Sequence, residues 1–173
     1  MEQAIIAGVA HDRSEAKITM VGVPDKVGEA ARIFEALAAT EVNIDMVVQN
    51  VSAAATGLTD ISFTLPRADG QQAMSALARI QDEVGYEKLL YDDQIGKVSL
   101  IGAGMRSHPG ITAKFFAALA SAGVNIEMIS TSEIRISVVV TESQVDSAVN
   151  AAHRAFDLGT DEVEAVVYGG TGR

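Results

Sequence analysis

The sequence predicts an α+β protein built from two consecutive βαββαβ units. Two observations carry that prediction: an internal repeat at an offset of 82, and the same order of strand-type and helix-type periodicity in both copies. Residues 28–46, GEAARIFEALAATEVNIDM, lie over residues 110–128, GITAKFFAALASAGVNIEM, with ten of nineteen positions identical and Asp45 over Glu127 conservative. Gly22 lies over Gly104 and Asp25 over Ser107, so the strand and turn before each helix are duplicated as well. A chain of 173 residues with 48% hydrophobic and 21% charged residues has ordinary globular usage and is long enough to bury a core.

Each copy opens with a β-branched, apolar strand, 17–23 and 97–103, closed by a Gly-containing turn. Asp25 and Ser107 are residue types that accept hydrogen bonds from a first helical turn, which predicts them as N-caps. Val27, Ala30, Ala31, Phe34, Leu37 and Ala38, and in the second copy Ala113, Phe116, Leu119 and Ala120, recur at helical spacing and predict one apolar stripe per helix. Second strands are expected over 43–51 and 125–131. Alternation of Ile61, Phe63 and Leu65 with polar neighbours, and of Ile134, Ile136 and Val138 with Arg135 and Ser137, marks the third strands. The first copy carries about seven extra residues before its third strand, a longer loop over 52–59.

Capping-box spacing, Asp69 with Gln72 and Thr141 with Gln144, predicts a second helix in each copy. Ala73, Leu77, Ile80 and Val84, and Val145, Ala148, Val149, Ala152 and Phe156, supply the buried faces. Final strands are expected over 87–92 and 164–169. Each unit then has both helices on one face of a four-stranded antiparallel sheet. The run Ala4 to Ala10 fits neither copy and reads as a spare strand, and the Gly-rich tail 169–173 reads as frayed.

The function classes this inventory excludes are broad. A formal net charge of −10 opposes approach to nucleic acid and anionic membranes. No cysteine is present for disulfides, thiol chemistry or Cys-ligated metal. No apolar run approaches the ~20 residues that span a bilayer, and no secretory signal is visible, so a cytoplasmic location is expected. His11, His108 and His153 lack metal-binding spacing. The run 102–107 lacks the third glycine of a dinucleotide loop, and neither a P-loop nor a Gly-x-Ser-x-Gly elbow occurs. Neighbouring Asp92 and Asp93 point to opposite sides of an extended chain and do not form a catalytic pair.

What remains is a duplicated turn into a helix N-terminus, at 24–28 and 107–110, and a duplicated strand start, Asn43-Ile44-Asp45 and Asn125-Ile126-Glu127. A helix N-terminus attracts a carboxylate, while a side-chain carboxylate or strand carbonyl receives an ammonium, so a zwitterionic amino acid suits the pair of features. Gly28 and Gly110 allow a ligand close to the backbone; simple helix-turn packing explains the same glycines.

The string 25–31 (DKVGEAA), the strand 42–50 (VNIDMVVQN), 60–64 (DISFT), Tyr91-Asp92-Asp93, 102–105 (GAGM), 107–110 (SHPG) and 124–137 (VNIEMISTSEIRIS) together resemble the tandem ACT domains of aspartate kinases over essentially the whole chain. The likeness is to the separate regulatory (beta) subunit, since the amino-acid kinase domain with its Lys-Phe-Gly-Gly-Thr start is missing. It implies two ferredoxin-like ACT domains, residues 16–94 and residues 1–15 plus 95–173, the leader strand joining the second. It also implies no enzyme activity by itself and no cofactor. The implied role is feedback inhibition of aspartate kinase in lysine, threonine and methionine biosynthesis, by threonine bound at ACT–ACT interfaces, with lysine a co-effector in some branches. The implied partners are a second copy, paired into side-by-side sheets, and the catalytic alpha subunit in a heterotetramer. Carried over by position, Asp25, Gly28, Glu29, Ala30, Asn43, Ile44, Asp45 and Gln49 line the effector site, with Asn125 and Ile126 contributed across the interface. Ile111, Thr112, Ser132 and Glu133 match positions tied to effector binding or kinase contact. The second copy's Ser107-His108-Pro109-Gly110 departs from the acidic first turn, which implies a weaker second site. Two rival readings are a free-standing amino-acid sensor for another enzyme and a small isomerase using Asp25 or Glu29 as a base.

Overall fold

The computed structural model describes residues 5–50, 55–105, 108–158 and 165–166. Its elements run in the order β1 (Ile5–Asp12), β2 (Glu15–Pro24), α1 (Glu29–Ala38), β3 (Val47–Gln49), β4 (Leu58–Pro66), α2 (Gly70–Arg79), α3 (Gln81–Val84), β5 (Lys88–Asp92), β6 (Ile95–Ala103), α4 (Pro109–Ser121), β7 (Met128–Thr131), β8 (Arg135–Thr141), α5 (Val145–Ala155) and β9 (Ala165–Val166). The chain splits into two compact units, a middle unit Glu15–Asp93 and a terminal unit Met1–Ser14 with Gln94–Arg173.

In the middle unit the sheet order is β3-β4-β2-β5, all antiparallel. Alternation in β2 sends Ala16, Ile18 and Met20 to the helix side, where they meet Ile61, Phe63 and Leu65 of β4 and Ile33, Leu37, Ala73 and Leu77 of the helices. Phe34 adds an edge-to-face contact with Phe63, centroids 5.9 Å apart. Tyr86 is buried in the same core and donates its hydroxyl to the Leu77 carbonyl at 2.8 Å, and burial pushes its pKa up.

The terminal unit repeats the pattern with a difference at one side. Its sheet order is β7-β8-β6-β1-β9, so the leader strand β1 occupies the place beside β6 that β5 occupies beside β2. The sheet therefore has five strands, the four expected of the repeat and the leader strand expected to join them, and β9 is parallel to β1, pairing Ala10 with Ala165 and His11 with Val166. Its core joins Val98, Leu100, Ile136, Val138 and Val140 of the sheet to Phe115 and Leu119 of α4 and Val145, Ala148 and Ala152 of α5.

Several local expectations are corrected. Helix α1 begins at Glu29 with Gly28 as its N-cap at φ 94°, so Asp25 lies three residues upstream of the cap and does not fill it. Ser107 lies outside the described residues. Neither capping box forms: Asp69 makes no side-chain cap bond, and Gln72 donates instead to the Thr40 carbonyl. Thr141 likewise makes none, because a 3₁₀ turn, Glu142–Gln144, intervenes before α5 and sends Gln144 to Gly123 and Asn125.

The expected stripes of α1 and α4 mix two faces. Ile33 and Leu37 are buried and Phe34 half-buried, whereas Val27, Ala30, Ala31 and Ala38 are exposed, as are Ala113 and Ala120 beside buried Leu119. The second strands are shorter than expected, although Asp45 N–H to Thr64 O and Glu127 N–H to Val139 O extend the pairing by single bonds. The second helix of the middle unit breaks at Ile80 into α2 and α3. The loop 52–59 and the strand 164–169 are described only in part, and the tail 169–173 lies outside the described residues.

Close packing at a glycine gives the stability test of this fold. A Cβ on Gly96 would overlap a methyl of fully buried Val145, whereas a Cβ on Gly8 would meet nothing within 4 Å. Gly96→Ala is expected to cost about 1–3 kcal/mol and lower Tm by several degrees, because valine cannot rotate its methyl away. Gly8→Ala should leave thermal unfolding unchanged within about 0.5 kcal/mol.

Candidate functional site

Each sheet ends in a short strand at its edge, β3 in the middle unit and β7 in the terminal unit. Among the described residues nothing pairs with their outer sides. Val47 on β3 and Ile129 on β7 occupy the same repeat position and are 50% and 43% exposed. The first helix of each copy also carries exposed small apolar residues, Ala30, Ala31 and Ala38 on α1 and Ala113, Ala117 and Ala120 on α4. Unpaired strand edges carrying β-branched side chains are surfaces suited to strand addition.

The register decides which of the candidate residues meet. Gln49 pairs with Ile61, which also pairs with Met20, and Pro24 at the end of β2 pairs with Leu58. Gln49 therefore lies toward the end of the sheet where β2 turns into α1, the end that carries Asp25, Gly28, Glu29 and Ala30. Asp45, whose N–H donates to Thr64 O at 2.9 Å, lies about 13 Å down the strand, with Ile44 and Asn43 farther still. Within one unit, then, the turn and Gln49 form one group, and Asn43, Ile44 and Asp45 form another at the opposite end of the edge.

The turn group has two features of a ligand seat. The cap residue Gly28 offers no side-chain acceptor to α1; the Glu29 N–H donates to the Lys26 carbonyl at 3.4 Å, and no side chain caps the remaining N–H groups at the positive end of the helix dipole. Glu29, in that first turn, is only 8% exposed, and its Oε2 is buried without a hydrogen-bond partner. A buried carboxylate oxygen with no donor is costly, and a cationic or hydroxyl donor would relieve it. Asp25 is exposed, and its N–H is fixed to Gly57 O at 2.8 Å. Asp60, not singled out from the sequence, braces the turn from β4 by accepting the Gly22 N–H at 3.0 Å, where β2 carries a bulge and Gly22 adopts φ 72°. Only the fold reveals that bond, because the partners are 38 residues apart.

In the terminal unit the equivalent end gathers Ile111 and Thr112 of α4 with the β7–β8 hairpin. Glu133 O accepts the Met105 N–H at 3.3 Å and Ile134 O accepts the Gly102 N–H at 3.0 Å, while the Ser132 hydroxyl accepts the N–H groups of Ile134 and Arg135. His108 closes this turn through Nδ1 and Gly104 O, 2.8 Å apart. Asn125 and half-buried Ile126 sit at the far end of β7, where Asn125 N–H donates to Gln144. The repeat equivalent of Glu29 is half-buried Ile111, so the two turns differ in charge. Among the described residues no group of three or more His, Cys, Asp or Glu side chains is placed to hold a metal, and no helix is long and apolar enough to cross a membrane.

The model of the ACT domain matches residues 18–80 and again 98–156, one match per copy of the repeat. The chain belongs to the regulatory ACT-domain family of aspartokinases. It is 61% identical over all 173 residues to the aspartokinase of Mycolicibacterium smegmatis and 62% identical to that of Mycobacterium tuberculosis, spanning 41% of the length of each. Among solved structures, the ligand-free regulatory subunit of aspartate kinase from Thermus thermophilus matches with TM-score 0.83 and 40% identity, covering 88% of this chain and 99% of that one. A structure of aspartokinase alpha and beta subunits matches with TM-score 0.82 and 44% identity over the same shares. The observed layout is thus that of two ACT repeats with the first occupying the middle of the chain.

The buried state of Glu29 generates a direct test. Glu29→Met keeps the length of the side chain and removes the unsatisfied charge, and should stabilise the ligand-free protein by about 1 kcal/mol in urea unfolding at unchanged m. A lower midpoint would show that the carboxylate is already satisfied.

Proposed function

We propose that this chain is the effector-sensing part of an aspartokinase, binding threonine where the β3–α1 side of one copy lies along the β7–α4 side of a second. The observation that carries the reading is the repeat-matched pair of open edges, Val47 on β3 and Ile129 on β7, with an uncapped helix start and the buried Glu29 carboxylate at the end of one of them. Antiparallel pairing of β3 with the partner's β7 would set the turn group of one copy against the far end of the other's edge. Asn125 and Ile126 would then face Asp25, Gly28 and Glu29. The same geometry accounts for the separation of Asn43, Ile44 and Asp45 from the turn of their own unit.

In this seat the threonine carboxylate takes backbone N–H groups at the start of α1 around Gly28 and Ala30, with open space in front of Gly28. Its ammonium lies between Glu29 and Asp25, and Gln49 faces its polar groups. A ligand working at roughly 0.1–1 mM needs only about −4 to −5.5 kcal/mol. Because the seat is completed by two chains, occupancy favours the paired arrangement, and a coupling of about 1–3 kcal/mol to a catalytic alpha subunit is enough for feedback inhibition. Lysine as co-effector would act at the same ACT–ACT interfaces, and Ile111, Thr112, Ser132 and Glu133 of the second turn serve effector binding or contact with the catalytic subunit. Two copies joined to two catalytic subunits give a heterotetramer, and the chain acts without a cofactor.

Two measurements test this. Asp25→Ala and Glu29→Gln should each weaken threonine binding in calorimetry at least about tenfold, roughly 1.4 kcal/mol, with unchanged circular dichroism. Threonine should also raise the dimer fraction in sedimentation of the unmutated chain. Binding without any shift in association would place the ligand inside a single copy.

A further inference from the structure

The leader strand pairs with β6 in two stretches. Gly8 to Asp12 run against Ile101 to Lys97, and Ile5 and Ile6 against Ala103 and Gly102, with a register shift between Ile6 and Gly8. Ala10 and His11 are held on both sides, by β6 and by β9. A bulge disrupts the ladder locally, so the short stretch can open without unzipping the longer one.

The residues opposite the short stretch are the ones that build the second copy's turn. Gly102 donates to Ile134 O in the β7–β8 hairpin, Gly104 follows at φ 70° and receives His108, and Met105 donates to Glu133 O. Ile6, Met105 and Ile111 also pack into one core cluster, so side chains and backbone link the same three pieces.

From this arrangement we infer that Ile5–Ile6 is a two-residue clasp whose closure depends on the ordering of the 102–105 turn, and that an effector bound to the paired units tightens it. The effector arm of this inference rests on the binding reading proposed above; the clasp itself rests on the register. A ligand that orders the turn favours the closed clasp, and by reciprocity the closed clasp favours the ligand. The bulge confines the response to the first residues of β1 and leaves the rest of the sheet unchanged.

Amide hydrogen exchange on the full chain tests it in two arms. Gly104→Ala places a side chain at a left-handed backbone position and loosens the turn. Exchange over residues 5–8 should then accelerate about tenfold or more, with residues 9–12 and the whole of β2 unchanged. Exchange that rises over 102–105 but not over 5–8 overturns the clasp. In the second arm, threonine added to the unmutated chain at a concentration that saturates its calorimetric heat should slow residues 5–8 by a similar factor. Heat of binding with no slowing over 5–8 overturns the inference while leaving the binding reading intact. Absence of heat overturns the binding reading and the effector arm with it, and Gly104→Ala then decides the clasp. Should that variant fail to fold by circular dichroism, Ile6→Ala replaces it: faster exchange over 102–105 supports the clasp and no change there overturns it.

Discussion

An edge strand leaves every second N–H and C=O group pointing away from its own sheet, and those groups must find water or another strand. Both units of this protein end on such an edge, and both place a β-branched side chain on it. The first helix of each copy packs one side on the sheet and leaves small apolar residues exposed on another. The turn that starts the helix, and the far end of the strand, belong to opposite ends of one surface.

This two-sidedness is also why the helix stripes were only half legible. Ala30, Ala31 and Ala38 recur at the spacing of a buried face, and sequence periodicity cannot say which of two apolar faces meets the sheet; Ile33 and Leu37 do. The strands themselves, by contrast, followed from the repeat and from alternation, because a one-residue slip would turn Ile61, Phe63 and Leu65 to the wrong side. Capping was misread for a physical reason too. Asp25, Asp69 and Thr141 have suitable side chains, but α1 starts from a left-handed glycine, and the second helices are entered through a 3₁₀ turn that displaces the cap. The candidate residues were legible as types and not as a cluster, since the 13 Å or so between Gln49 and Asp45 depends on register alone. The burial of Glu29 had no signal in the sequence, where a glutamate in a first helical turn reads as a solvated partner of the dipole.

Duplication has not produced two equal turns. Glu29 in the middle unit is answered by Ile111 in the terminal unit, so one turn offers a buried negative charge and the other an aliphatic surface. A charge difference of this kind separates ligands by what they must leave unpaired, which discriminates more sharply than a change in apolar contact.

The placement of β1 has a consequence for the order in which the molecule can be made. The ladder partner of Ile5 is Ala103, so the terminal sheet needs residues almost a hundred positions apart, whereas every strand of the middle sheet lies between Glu15 and Asp92. During synthesis the middle unit can close on its own residues while β1 is still waiting for its neighbour, and non-local closure of this kind is slow. The early-folding middle unit then serves as the loop that brings the two ends of the terminal sheet together, shortening the effective search to the few residues on either side of it.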